Sequence, residues 1–145
     1  GLPSGSKFSE LLANPGTNFT VFAPNNQAFI NLLTFLGLPA VKETLLALPI
    51  PDVIGILAYH VHILNGSPGG SLTMSRAFSV NLPKTPTPVN TFLNMLISPA
   101  PPLVVDASIP GVKGYKNPTY SNIVAVDRAA INGVYHVIDQ VLLPK

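Results

Sequence analysis

The stretch NIVAVDRAAINGVYHVIDQVLL, residues 122–143, decides the fold. Asn122 to Ala130 and Val134 to Leu143 are rich in β-branched and other apolar residues, and Asn132-Gly133 stands between them. Asn-Gly is the strongest short-range hairpin signal, because a type I′ turn needs positive φ at both central residues. The chain is therefore predicted to close on a long antiparallel hairpin.

Working back from it, strand signals continue through the middle of the chain. Val61 to Leu64 is strand-like and Asn65-Gly66 marks a turn. Leu72 to Met74, Ala77 to Leu82, Thr91 to Ile97 and Leu103 to Val105 are short β candidates. Pro83 to Pro88 and Pro99 to Pro102 read as loops or strand ends, since proline cannot serve a central strand.

The N-terminal half reads differently. Phe8 to Ala13 suggests a short helix ended by Asn14-Pro15-Gly16, and Asn18 to Phe22 a strand. Pro24-Asn25-Asn26 offers an amide N-cap. Phe29, Leu32, Leu33 and Leu36 then recur at helical spacing until Gly37 stops the run. Pro39 suits the first turn of a second helix through Leu46, and Pro51-Asp52 starts a third through about Ala58. Helices early and strands late predict an α+β fold rather than alternating α/β. No internal repeat occurs, and 145 residues fit one domain, 1–145.

Composition narrows the function. Charged residues are 10% of the chain, against about 25% in ordinary soluble domains. Hydrophobic residues are 47% and the mean hydropathy is +0.41. Such a surface needs attached sugar for solubility, or a ligand or partner over its apolar area. The absence of cysteine excludes thiol catalysis, thiolate zinc sites and redox switching. The net charge of +2 comes from scattered lysines and arginines, with Lys113 and Lys116 as the only local pair. No basic stripe is present, so nucleic acid is not an expected partner. The most apolar stretch, Leu45 to Leu64, is broken by Pro49, Pro51, Asp52 and His60, so no membrane span is expected. Gly1 to Asn14 has neither the basic start nor the apolar core of a signal peptide; a secreted protein would here be in its mature or trimmed form.

Three segments together resemble the fasciclin domain family. The first is Thr20-Val21-Phe22-Ala23-Pro24-Asn25-Asn26-Gln27-Ala28-Phe29, a strand running into a capped helix. The second is the pair Tyr59-His60. The third is Ile131-Asn132-Gly133-Val134-Tyr135-His136-Val137-Ile138-Asp139, closed by Val141-Leu142-Leu143-Pro144. Thr20, Phe22, Pro24, Phe29, Tyr59, His60, Asn132, Gly133, His136 and Asp139 carry the match. The resemblance implies a β wedge or sandwich of about seven strands, flanked by short helices clustered in the N-terminal half. It also implies an extracellular or cell-surface module for adhesion, with a protein or glycan partner, no cofactor and no enzymatic activity. Two departures matter. Asn25 stands where many members have Thr or Ser, and Gln27 where they have an acid. Asn122-Ile123-Val124 lacks the acid of the integrin-binding motif, and no Arg-Gly-Asp occurs, so integrin-type adhesion is not expected.

His60 and His62, two apart, would share one face of a strand, and His136 could join them at a metal. No carboxylate stands at a ligand-like spacing, and internal hydrogen bonding is the expected role. The six acids form no pair and no G-x-S-x-G elbow occurs, so neither a catalytic nor a metal residue is assigned. Asn65-Gly66-Ser67 and Asn18-Phe19-Thr20 are N-glycosylation sequons, and Asn117-Pro118-Thr119 is excluded by its proline. Thr85-Pro86-Thr87-Pro88 and Ser98-Pro99-Ala100-Pro101 resemble O-glycan-bearing modules of plant and algal fasciclin-like proteins, or are simply proline loops.

The alternative to adhesion is carriage of an apolar small molecule. A subset of algal fasciclin-like proteins carries carotenoids, and the apolar surplus suits that role. The expected groove lies between the Asn26 to Leu36 helix and the last hairpin, with the Gln27 amide orienting the ligand and Val134 and Ile138 lining it.

Overall fold

The computed structural model describes residues 10, 13, 18–62, 77–97, 99–130 and 132–145. The expected Phe8 to Ala13 helix lies mostly outside them, and Leu72 to Met74 and the Asn65 sequon lie wholly outside.

Seven strands form a mixed sheet that curls into a near-barrel wedge: β1 (Phe19–Pro24), β2 (Val61–His62), β3 (Thr87–Val89), β4 (Leu103–Asp106), β5 (Gly111–Lys113), β6 (Ser121–Ala130) and β7 (Gly133–Ile138). Their spatial order is β2-β1-β7-β6-β5-β4-β3. Among the described residues, the one parallel pair is β1 with β7, running from Phe19 opposite Gly133 to Pro24 opposite Ile138. The first and last strands in chain order are thus neighbours inside the sheet.

Helices α1 (Asn26–Phe35), α2 (Lys42–Leu46) and α3 (Ile50–Tyr59) are inserted between β1 and β2, as the clustering of helical signals implied. The Asn25 carboxamide accepts the Ala28 N–H at 2.8 Å and caps α1. Gly37 ends it with φ +71, while Gly37 N–H binds Thr34 C=O and Leu38 N–H binds Leu33 C=O. That is a Schellman motif, which needs the left-handed residue that glycine supplies. Pro51 sits in the first turn of α3, where its missing N–H costs nothing.

Four readings are corrected. Ala77 to Leu82 holds a single 3₁₀ turn, Ser79–Asn81, because Asn81 Oδ1 accepts Phe78 N–H and folds the backbone back. Thr91 to Ile97 holds the short helix α4 (Leu93–Leu96): Thr91 Oγ1 accepts Leu93 N–H and Asn94 Oδ1 accepts Thr91 N–H. These local side-chain bonds outcompete the strand propensity of the segment. β7 stops at Ile138, and Val141 to Leu143 returns as a tail whose Leu142 is fully buried. Finally, Gly133 pairs with Ala130 as the first residue of β7 and is not at positive φ. The hairpin stands, but Gly133 lies in the strand and not in the turn.

The core gathers Phe19, Phe22, Tyr59, Leu103, Ile138 and Leu142. It joins the β1–β7 centre of the sheet to the end of α3 and to the C-terminal tail.

Candidate binding site

The family-type polar residues converge on the interior. Tyr59 ends α3 fully buried, and its hydroxyl donates to Pro102 C=O at 3.0 Å and accepts Tyr115 N–H at 2.9 Å. Burial pushes this phenol up to about 12, against the smaller pull of the Tyr115 N–H. His60, next in the chain, caps the C-terminus of α3 and is not in a strand. Its Nδ1–H donates to Ile56 C=O at 2.7 Å, and Nε2 accepts Leu142 N–H at 2.8 Å. The two partners fix a neutral tautomer, and burial pushes the imidazole down to about 4.

His136, on β7, stacks obliquely on Phe22 of β1, ring centres 5.9 Å apart. Its Nδ1 accepts Asp127 N–H at 3.2 Å and its Nε2–H donates to Ala77 C=O at 2.8 Å. His62 Nδ1 lies 2.8 Å from Asn90 C=O. The three histidines therefore serve three separate joints, and no cluster of metal-ligating side chains exists among the described residues. Thr20 is buried and its hydroxyl accepts Ala77 N–H at 2.8 Å. Asp139 accepts Ser121 Oγ–H, Asn122 N–H and Asn122 Nδ2–H, pinning the mouth of the β6–β7 hairpin.

Asp127 sits in the irregular stretch of β6 with φ 59, a conformation that aspartate tolerates. Its exposed carboxylate accepts the Ser79 hydroxyl at 2.5 Å and the Ser79 N–H at 2.6 Å, which hold it below the usual carboxylate range. Together, Thr20, His136 and Asp127 stitch residues 77–79 to the sheet. These residues are joints of the fold, and their polar atoms face one another.

The outer surface is different. Among the described residues, large apolar side chains stand exposed along the helical insertion: Phe35 is 82% accessible, Leu46 75% and Ile50 68%, with Leu36, Val41 and Leu57 also open. Two grooves lie against α1. One, of about 280 Å³, runs between α1 and the 116–118 and 140–143 segments; Leu32, Phe35, Val141 and Leu143 form its apolar walls, with Asn31, Gln140 and Lys116 among its polar ones. The other, of about 110 Å³, is walled by apolar side chains of α1, α2 and α3 with Leu48, and shares Leu32 and Val141 with the first.

The groove anticipated from the sequence is corrected in its membership. Val134 and Ile138 are 1% and 0% exposed, because β7 is a central strand, so neither can line an open groove. Gln27 is exposed on α1 and its Nε2 donates to Asn31 Oδ1 at 2.9 Å. Asn31, Phe35, Lys116 and Gln140 were not anticipated. The available signal was Phe35, an apolar residue off the Phe29, Leu32, Leu33 stripe of α1. Asn18 is exposed at the entrance of β1, whereas the Thr20 of its sequon is buried. Asn117 is buried, bonding Val141 C=O and Leu143 N–H.

A family model described as Fasciclin domain matches residues 4–144. Among solved structures, the chain is similar to a FAS1 domain pair from the insect cell adhesion molecule fasciclin I. The identity is 16% and the TM-score 0.55, over 96% of this chain and 40% of that one. No curated protein sequence matches. No helix among the described residues is long and apolar enough to cross a membrane.

Proposed function

The chain belongs to the fasciclin domain family, a family of generally non-enzymatic binding and adhesion modules, and from that premise we propose that it is an extracellular interaction module whose contact surface is the helical face of α1–α3. The exposure of Phe35, Leu46 and Ile50 on that face carries the reading. Exposed apolar area of this kind is costly in water and marks contact sites. The partner is a protein or glycan surface met outside the cell. Phe35→Asp combined with Leu46→Asp is expected to reduce attachment of protein-coated beads to cells of the source organism at least tenfold. Both side chains are exposed, so unfolding should stay within about 0.5 kcal/mol of wild type. Undiminished attachment would reject this face.

The second reading is carriage of an apolar small molecule, a carotenoid being one instance, and the two grooves that share Leu32 and Val141 favour it. On this reading, purification after mixing with a carotenoid extract is expected to give a stoichiometric visible absorption band that co-elutes with the protein. A colourless protein peak would remove the carotenoid and leave colourless apolar ligands.

A further inference from the structure

We propose that the larger groove binds a single-chain amphiphile with an anionic head, of the fatty-carboxylate class, held at its head by Lys116. The proposal deepens the carrier reading and rests on it. Three features of the groove carry it together.

The first is charge. Of the ten described residues lining the groove, Lys116 is the only charged one, and no carboxylate is among them. Lys116 is exposed, and its ammonium rests 5.7 Å from the Tyr115 ring centre, so an aromatic face and not an acid accompanies it. An ammonium without a carboxylate partner in a partly apolar groove favours an anion.

The second is the state of the amides. Asn117 is consumed by Val141 and Leu143, and Gln140 Nε2 by Thr119 Oγ1 and Tyr120 C=O. Asn31 differs: Gln27 occupies its oxygen, which leaves the Asn31 NH₂ as a donor in the groove. Gln27 thereby acts as a positioning residue, fixing which end of the Asn31 amide stays available. Among the polar groups left to a ligand, the Lys116 ammonium and the Asn31 NH₂ are the donors, and both suit a carboxylate.

The third is continuity. Leu32 and Val141 line both grooves, so the tail of an amphiphile whose head lies by Lys116 meets an apolar wall that is continuous with that of the second groove. The larger groove, at about 280 Å³, is near the lower end of small-ligand pockets and suits one chain.

The test is calorimetric titration with sodium dodecanoate below its micelle concentration, beside dodecan-1-ol. Wild type should bind dodecanoate at least tenfold more tightly than the alcohol, and Lys116→Gln should erase that preference. Phe35→Ser should weaken both ligands severalfold. Lys116 and Phe35 are exposed, so both variants should fold, which circular dichroism checks. Equal binding of acid and alcohol would overturn the anionic head while leaving the apolar carrier intact. Binding of neither would overturn both. Acid binding unchanged in Lys116→Gln and Phe35→Ser would place the site elsewhere and overturn the proposal. Sedimentation with phosphatidylglycerol vesicles, without binding of monomeric dodecanoate, would make the occupant a membrane surface and overturn it too.

Discussion

Gly133→Ala is expected to destabilise the domain by about 3 kcal/mol, and Gly133→Val to prevent folding. Gly133 lies between Phe19 on β1 and Ala130 on β6. A Cβ there would come within 2.6 Å of Phe19 C=O and within 2.8 and 2.9 Å of two atoms of the Phe19 ring. Real Cβ atoms do not make such contacts, and the first is with backbone. Relief requires separating β1 from β7, the parallel pair of the first and last strands in the chain. Phe19 is buried, so its ring cannot swing into solvent. Gly55 supplies the control. It lies in the interior of α3, and a Cβ added there meets nothing within 4 Å. Gly55→Ala should therefore stabilise by about 0.5–1 kcal/mol through helix propensity. Urea unfolding of the two variants beside wild type separates the effects. A Gly133→Ala midpoint equal to wild type would show that the strands have room, and the close approach would then not be a constraint.

The same glycine marks where sequence reasoning succeeded and where it stopped. Asn132-Gly133 announced the hairpin, and β6 and β7 are there. The pair was read as a turn because local chemistry favours one, whereas the need for glycine is set by Phe19, 114 positions away in the chain. The segments that were legible are those governed by local rules: the Asn25 cap and the Gly37 stop. Thr91 to Ile97 failed because two side-chain caps, Thr91 and Asn94, reversed the backbone preference of an apolar run. β5 was missed because three residues, Gly-Val-Lys, carry no pattern of their own and gain their strand from β4 and β6. The groove is harder still. Lys116 and Asn31 are 85 positions apart and meet only through the return of the C-terminal tail. Composition announced an apolar surplus, but only the tertiary fold says which faces of α1 bear it.

The largest pH effect is expected from His60, at about 3 kcal/mol between pH 6.5 and 4. The folded imidazole is pushed down to about 4 from an ordinary 6.5, chiefly by burial. Between those values the unfolded chain binds the proton and the folded chain does not. Stability therefore rises with pH across that window, or falls as acid is added, at up to about 1.4 kcal/mol per pH unit. Above pH 6.5 neither state is protonated at His60 and the contribution is flat. Below about 4 both are protonated and it is flat again. The geometry gives the reason. Nε2 accepts Leu142 N–H, so a proton placed on it would set two donors face to face in the core. Leu142 would lose its anchor, and the tail that walls the groove through Val141 and Leu143 would detach with it. Asp127 acts in the same direction but lower in pH, since its depressed carboxyl loses its Ser79 bonds only below the ordinary carboxylate range. His60→Gln separates the two: it should cost stability at pH 7 by leaving a buried partner unpaired, and remove the slope between 6.5 and 4. Urea midpoints measured at half-unit steps of pH decide it. A wild-type profile already flat from 6.5 to 4.5, or a slope that survives in His60→Gln, would show that the imidazole is not what holds the tail against acid.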